Sequence, residues 1–252
     1  MASVGSARRL DRIDALRALA MLWMTAYHFA FDLDHFRLIE QDFHRDPFWT
    51  WQRSAIVSLF LFTAGLSQAV ALAQGQGWPR FWKRWSQVAG AALLVTVGSM
   101  LMFPQTFIYF GVLHGIALML IVVRLTAGWG VWLWPLGALA IGAKFAAPLL
   151  IAAVPALEVF NTPWLNWLGL ISRLPITEDY VPLLPWLGVM WWGVAAGQWA
   201  LRHRSQWLGA ADARATGVKL GLVTLGRWSL SYYLLHQPVL IGLVTAFVWL
   251  RG

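Results

Sequence analysis

The stretch from Arg12 to Asp34 constrains the fold most, because it combines a membrane-spanning length with ionisable side chains. Along it, six side chains follow one another at steps of three or four residues: Asp14, Arg17, Met21, Thr25, His28 and Asp32. Such spacing places side chains on one face of an α-helix. At about 1.5 Å per residue this face is about 27 Å long, close to the hydrocarbon thickness of a bilayer. The sequence therefore predicts a transmembrane helix whose polar face, here called the first-helix stripe, extends between the two membrane surfaces.

Two interpretations of the first-helix stripe are open. Charged side chains inside a membrane are unfavourable in energy, and they usually face a partner, a cavity or a substrate. In that case the stripe lines a functional site that faces both sides of the membrane. In the alternative, the polar side chains near each helix end simply reach toward the nearest water interface.

The composition is that of an integral membrane protein. Hydrophobic residues make up 59% of the 252 residues and charged residues 12%, whereas a soluble domain has about 25% charged residues. The formal net charge of +8 is explained by Lys and Arg in cytoplasmic loops that face anionic lipid. No basic run with interleaved aromatic residues lies outside these loops, so nucleic-acid binding is not expected. The absence of Cys excludes disulfides and thiolate metal sites.

Apolar runs separated by polar or Pro/Gly-containing breaks predict seven transmembrane helices. They lie near residues 14–34, 54–74, 87–103, 108–125, 131–150, 183–201 and 226–249. The segments that the positive-inside rule assigns to the cytoplasm contain Arg8, Arg9, Arg12, Arg80, Lys83, Arg84, Arg124, Arg202, Arg204, Arg214, Lys219 and Arg227. This bias predicts a cytoplasmic N-terminus, and an odd number of spans then places the C-terminus on the extracytoplasmic side. No second domain is indicated, so residues 1–252 are predicted to form a single all-α bundle.

Two predicted outer loops are long enough to contribute to a site. Residues 35–53 contain His44, and because this loop begins a few residues after His28, the two histidines are expected to meet. Residues 151–182 include the segment WLNWLGL, which is too short to cross a bilayer and is expected to be interfacial or re-entrant.

Histidines are the candidate catalytic residues: His28 on the stripe, His44 in the first outer loop, His114 in FGVLHGIALML and His236 in SLSYYLLHQPV. A single buried His is most often a hydrogen-bonded core residue. Three on separate predicted membrane helices favour proton transfer instead. No HExxH pattern and no His pair at i, i+4 occurs, so no metal is predicted. A proton-coupled transporter that uses the same stripe is the alternative, although no inverted repeat is visible.

A phosphate-bearing ligand would have to be bound by side chains, because the sequence has no Walker or Rossmann glycine pattern. Arginine and lysine suit phosphate oxygens. The candidates are Arg17 with its neighbour Asp14, Arg227, and the pair Lys83 and Arg84 in GWPRFWKRW. For the last pair, anchoring of the chain at the cytoplasmic membrane surface is the favoured alternative.

Five segments carry a family resemblance. RLDRIDALRALAMLWMTAYH resembles the opening of the heparan-α-glucosaminide N-acetyltransferase family and its short bacterial relatives. Further similarity lies in FLFTAGLS (60–67), FGVLHGIALML (110–120), TEDYVPLLPWLGVMWWGVAAG (177–197) and LGRWSLSYYLLHQPVL (225–240). Asp14 and Arg17 match the family opening, Ala18 replaces the usual Gly, and His28 stands where the lysosomal enzyme has Asn.

The resemblance implies an enzyme of the cytoplasmic membrane of a bacterium. It implies transfer of an acetyl group from cytoplasmic acetyl-CoA, as co-substrate, to an amino sugar or glycan on the extracytoplasmic side. Counting back from Gly65, the position of the family's active-site histidine falls on His44. Asp32, Asp179 and Tyr233 are the candidates for binding substrate. Direct transfer and an acyl-histidine intermediate stay open, as does assembly of the chain into a homo-oligomer.

Overall fold

The computed structural model describes residues 11–204 and 217–251. This part of the chain is all-helical and contains no β-strand, only one isolated parallel bridge between Phe110 and Tyr180. Its α-helices are α1 (Asp11–His35), α2 (Pro47–Ala73), α3 (Trp78–Met102), α4 (Val112–Thr126), α5 (Leu133–Ala153), α6 (Leu183–His203), α7 (Gly217–Arg227) and α8 (Ser229–Arg251). The same described residues include 3₁₀ segments at Ala127–Trp132, Pro155–Asn161 and Asn166–Leu168. The predicted all-α class is confirmed.

The chain is an integral membrane protein. Within the described residues, four stretches are long and apolar enough to cross a membrane: α2, α3, α8 and Val112–Ala153, which includes α4 and α5. Each of the seven predicted spans overlaps a helix, but seven spans and the positions of the two termini stay predictions. Of the predicted cytoplasmic cations, Arg8, Arg9 and Arg214 lie outside the described residues.

Two helices begin earlier in the sequence than predicted. α2 starts at Pro47 rather than near residue 54, which shortens the first loop to residues 36–46. Asp46 caps this helix, because its side-chain oxygen accepts a hydrogen bond from the Phe48 amide at 2.8 Å. Asp followed by Pro is a common start of a helix. Similarly, α3 starts at Trp78, with Pro79 in its first turn, rather than near residue 87.

α7 was not predicted, because most of it was assigned to the cytoplasmic segment before the last span, which was expected to begin near residue 226. Its glycines lower intrinsic helix propensity, which hides the helix from a propensity argument. Gly226 shows why glycine is needed there, since a Cβ atom at this position would lie 1.9 Å from the Asp14 carbonyl oxygen. The absent side chain therefore lets the end of α7 approach the backbone of α1 closely.

The chain divides into two compact units, with the division inside α2. Unit 1 consists of residues 1–60 and 205–252; within it α1 packs on α7 and α8. An aromatic cluster that includes Tyr27, Phe43 and Trp49 fixes the loop after α1. The expectation that residues 1–252 act as a single domain stays a prediction.

Unit 2 consists of residues 61–204. Within it α5 packs along α6, and α4 packs on α3 and α6. Its core includes Leu61, Met119 and Met190, which are fully buried. Within the segment WLNWLGL the chain forms a short 3₁₀ turn at Asn166–Leu168, and the interfacial or re-entrant position of this segment stays a prediction.

Candidate functional site

The first-helix stripe faces α7 and α8 within unit 1. Thr25 Oγ1 lies 2.7 Å from the Tyr232 hydroxyl. One turn further along, His28 lies 2.8 Å from His236, and beyond it Gln237 donates to Asp32 at 2.7 Å. The polar residues that the helical spacing grouped on one face thus meet polar residues of a single neighbouring helix. We call this row of contacts the α1–α8 seam.

The two histidines of the seam form a directed hydrogen-bond chain. His236 Nδ1 lies 2.7 Å from the Tyr233 carbonyl oxygen, and since a carbonyl oxygen only accepts, this nitrogen carries the proton. In neutral His236 the other nitrogen, Nε2, then has a lone pair and accepts from His28 Nδ1. The ring planes differ by 14° and the centroids lie 5.1 Å apart, so the shared proton lies near both ring planes.

This chain of donors fixes which atom of His28 can act as a base. Because His28 Nδ1 carries the proton, Nε2 carries the free lone pair in the neutral ring. Among the described residues, no hydrogen bond is made to this nitrogen. Adding a proton there would leave the bond to His236 in place, so His28 can change its charge without rearranging the seam.

The end of the seam at Asp32 contains two oxygen atoms that lack donors among the described residues. Asp32 is 3% exposed, and its Oδ2 atom has no hydrogen-bond partner within the described residues. The same is true of Gln237 Oε1. Buried polar atoms in native proteins are nearly always satisfied by protein, water or ligand. A hydroxyl or amine donor is therefore the chemical group that this end of the seam lacks.

The other end of the first-helix stripe is balanced in charge. Arg17 donates to Asp14 at 2.8 Å and to the Gly226 carbonyl oxygen at 3.2 Å. Arg227 pairs with Asp11 at 3.1 Å, and its Nε lies 3.9 Å from Asp14. Two arginines thus face two carboxylates. A phosphate group would have to compete with these carboxylates for Arg17 and Arg227.

Among the described residues, no hydrogen bond or ring contact joins His28 to His44. His44 is exposed in the loop after α1, and its ring lies edge-on against Phe31, with centroids 6.4 Å apart. In the described residues it makes no hydrogen bond to His28, whose ring partner is His236. The third predicted residue of this region, Tyr233, packs against the aromatic cluster and contacts the His236 ring.

Two predicted site residues lie in unit 2 and make contacts that fix a helix end. His114 Nδ1 accepts from the Gly111 amide at 3.3 Å, and its other ring nitrogen lies 3.0 Å from Thr96. The Thr96 hydroxyl donates to the Ile108 carbonyl oxygen, so it accepts from His114. Asp179 accepts from the Val112 amide at 2.7 Å. Both ring nitrogens of His114 are therefore used near the start of α4.

Beside this region a pair of aromatic hydroxyls is held by the segment before α6. Tyr180 donates to the Asn166 carbonyl oxygen at 2.6 Å, and the Asn166 side chain donates to Tyr109 at 2.7 Å. Burial raises the pKa of Tyr180, and the nearby Tyr109 raises it further. Tyr180 therefore stays a neutral donor at physiological pH.

Lys83 and Arg84 lie on α3, not in a loop before it. There they line a cavity in unit 2. The cavity has a volume of about 320 Å³, and its lining comprises Ser67, Gln68, Ala71, Gln76, Arg80, Lys83, Arg84 and Gln87. No carboxylate is among these residues. Separately, in the described part of the chain, no group of three or more His, Asp or Glu side chains is placed to hold a metal ion.

Sequence reasoning missed Gln237, Gln68 and Arg80. Gln237 follows His236 directly, and Arg80 stands three residues before Lys83 at helical spacing. These patterns could have identified both residues. Gln68 gives no such signal, since only the fold brings it to the cavity.

Comparison with known proteins assigns the chain to a family. The family model described as heparan-alpha-glucosaminide N-acetyltransferase, catalytic, matches residues 9–238. No curated protein and no solved structure matched the chain. The match covers α1 to α6 and continues into α8, and so includes both histidines of the seam. It supports a membrane N-acetyltransferase and favours an enzyme over a transporter. The chain therefore belongs to the heparan-α-glucosaminide N-acetyltransferase catalytic family.

Proposed function

We propose that this protein transfers an acetyl group from cytoplasmic acetyl-CoA to the amine of an amino sugar or glycan on the extracytoplasmic side of a bacterial cytoplasmic membrane. The observation that carries the proposal is the His28–His236 pair, which leaves one imidazole nitrogen free to accept a proton. An amine attacks a thioester only with its lone pair available, so a base is required at the reacting nitrogen. The bias of Lys and Arg toward predicted cytoplasmic segments supports the donor side.

His28 acts as the base in this proposal. Its Nε2 atom takes the proton from the acceptor nitrogen as the bond to the acetyl carbonyl carbon forms. It returns that proton to the sulfur as the carbon–sulfur bond breaks, so no net proton is gained or lost. Throughout the reaction Nδ1 keeps its own proton, donated to His236.

His236 acts as a positioning residue. It accepts from His28 and is itself held by the Tyr233 carbonyl oxygen at 2.7 Å. This carbonyl selects the tautomer of His236, which in turn selects the tautomer of His28. Groups that fix the tautomer and orientation of a catalytic histidine are a general requirement for its function.

Asp32 and Gln237 provide the acceptor-binding end. Their two oxygens without donors, Asp32 Oδ2 and Gln237 Oε1, suit the hydroxyls and amine of a sugar. Asp32 stands four residues after His28 on the same helix face, about 6 Å along the axis. A sugar bound there would present its amine within reach of the base.

Reconstituted full-length protein provides the test. Acetyl-CoA and glucosamine are supplied to proteoliposomes, and N-acetylglucosamine is measured by mass spectrometry. Replacing a general base lowers the rate by about 10²–10⁴-fold, so His28→Ala should lose nearly all transfer per folded molecule. The change leaves His236 Nε2 without its donor, so the variant should still fold but unfold at a lower temperature. His203→Ala, at the exposed end of α6, is the matched control and should keep full turnover.

His44 is the competing residue, because the family resemblance implies an active-site histidine at its position. Near-normal turnover in His28→Ala with loss in His44→Ala would move the chemistry to the loop after α1. Loss in both variants with retained acetyl-CoA binding would assign His44 a second role in the same reaction. Normal turnover in both variants would refute the proposed base.

A further inference from the structure

We infer that the cationic cavity of unit 2 binds the nucleotide end of the donor, through its phosphates. This inference rests on the proposed function, which supplies the nucleotide-bearing donor, and it adds the location of the binding site. The cavity volume of about 320 Å³ is within the range of small-molecule sites, about 300–1,000 Å³.

Three cations occupy one face of α3. Arg80, Lys83 and Arg84 line the cavity together with Gln87, and the spacing of these four positions is i, i+3, i+4 and i+7. All four side chains are exposed, so the cations form an open rim. Within the described residues, none of the three has a carboxylate partner. This distinguishes them from Arg17 and Arg227, whose charges are already balanced.

The position of these cations is unfavourable for the helix itself. They lie in the first two turns of α3, where the helix dipole favours negative charge. The helix has no acidic residue in its first turn and no side-chain cap. An anion bound at this end would interact favourably with the cations and the helix terminus together.

Two further residues of the cavity lining, Gln68 and Gln76, supply hydrogen-bond acceptors. Gln68 Oε1 and Gln76 Oε1 have no partner within the described residues. Amide oxygens of this kind suit the amino group of a base or the hydroxyls of a ribose. A ligand with phosphates at one end and such donors nearby is a nucleotide rather than an inorganic anion.

Arg124 holds the turn that contains Gln76. Its guanidinium donates to the Gln76 carbonyl oxygen and lies over the Trp78 ring, 5.1 Å from the ring centroid. Gly75 has a φ of +71°, a conformation that glycine adopts readily. The turn between α2 and α3 is therefore fixed independently of the rim cations, which can be replaced without removing this support.

The test measures equilibrium binding of coenzyme A to the full-length protein in nanodiscs of neutral lipid. A Lys83→Gln/Arg84→Gln double variant should bind coenzyme A tenfold to a hundredfold more weakly, the range expected for lost charge-assisted hydrogen bonds. Its affinity for pantetheine, which lacks the nucleotide and its phosphates, should equal that of the unaltered protein. Arg202→Gln, which removes an exposed cation at the end of α6, is the matched control and should change neither affinity.

Each other outcome overturns the inference. Unchanged coenzyme A affinity in the double variant would overturn it. A loss of pantetheine affinity equal to the loss of coenzyme A affinity would overturn it as well. If the variant instead loses binding only to nanodiscs or vesicles containing anionic lipid, these cations anchor the chain at the membrane surface. The variant Gln68→Leu is a second test. It removes a hydrogen-bonding side chain from the cavity without altering charge, and it should weaken coenzyme A binding.

Failure of the inference is distinguishable from failure of the proposed function. If the unaltered protein binds coenzyme A in this cavity but transfers no acetyl group, the cavity assignment stands and the function is wrong. If it transfers acetyl groups and the double variant binds coenzyme A normally, the function stands and the cavity assignment is wrong.

Discussion

His28 and His114 both lie in helices of largely apolar sequence, yet they differ in what their ring nitrogens contact. Both nitrogens of His114 are used, one by the Gly111 amide and the other by Thr96. His28 uses one nitrogen, toward His236, and its other nitrogen makes no hydrogen bond within the described part of the chain. A histidine whose two nitrogens are satisfied stabilises the fold, whereas one with a fixed tautomer and a free lone pair can exchange a proton.

The largest effect is expected from replacing His236, the partner of His28, and this substitution tests the comparison most severely. His236→Ala removes the acceptor that fixes the tautomer, and it should lower kcat by about one to two orders of magnitude, less than loss of the base itself. His236→Gln should recover part of this loss, because the Gln side-chain oxygen can accept from His28. The measurement is kcat and KM of each purified variant.

A merely structural role for His236 gives a different result. Both variants would then lose folded protein in proportion, with the turnover of the remaining folded enzyme unchanged. Thermal unfolding measured alongside kinetics separates the two cases, since the proposal requires that the Gln variant differ from the Ala variant in kcat.

His114→Ala should have the opposite pattern. Removal of a ring that is hydrogen-bonded through both nitrogens leaves the Gly111 amide without a partner and costs about 1–3 kcal/mol of stability. The kcat per folded molecule should stay near that of the unaltered protein. A hundredfold lower kcat in a fully folded His114→Ala protein would instead restore its predicted catalytic role.

The polar face that carries His28 could be predicted from the sequence, but the contact that distinguishes His28 from His114 could not. Helical spacing identified the first-helix stripe, because the period of a helix is a local property. It could not pair His28 with His236, which is 208 residues away, since contacts between distant segments depend on packing. The contacts of His44 depend on packing in the same way: the aromatic side chains of the loop pack on Tyr27 and Phe31, and His44 itself contacts Phe31.

The starts of helices were predicted less well than their existence. Asp46 and Pro47 carry a helix-start signal that the hydropathy pattern obscured, because polar residues open α2. Pro79 carries a similar signal at the start of α3. The earlier start of this helix places Lys83 and Arg84 on a helix rather than in a loop. On a helix they share a face with Arg80 and Gln87, whereas in a loop their spacing carries no geometric meaning.

Asp32→Asn sharpens the comparison at the Asp32 end of the seam, where stability and sugar affinity should change in opposite directions. An Asn amide can donate to Gln237 Oε1 while its oxygen still accepts from Gln237 Nε2. The unpaired Asp32 Oδ2 atom is then replaced by a donor nitrogen, and Gln237 Oε1 gains a partner. Satisfying buried polar atoms stabilises a protein, and the melting temperature should rise. Affinity for the sugar should fall, with KM higher by about tenfold, the effect of losing one hydrogen bond to a charged group. A lower melting temperature together with unchanged KM would contradict the assignment of Asp32.

The smallest effect is expected at the charge-balanced end of the first-helix stripe. Arg227→Gln removes the pair with Asp11, and because Arg227 is partly exposed, about 1 kcal/mol or less of stability should be lost. Its charge is already matched by a carboxylate, so coenzyme A affinity should change by no more than about twofold, in contrast to the Lys83→Gln/Arg84→Gln variant. Calorimetry of binding and thermal unfolding of the same preparation measure both quantities. A tenfold loss of coenzyme A affinity in Arg227→Gln would show that the arginine leaves Asp11 to bind phosphate, and the difference between the two cationic regions would disappear.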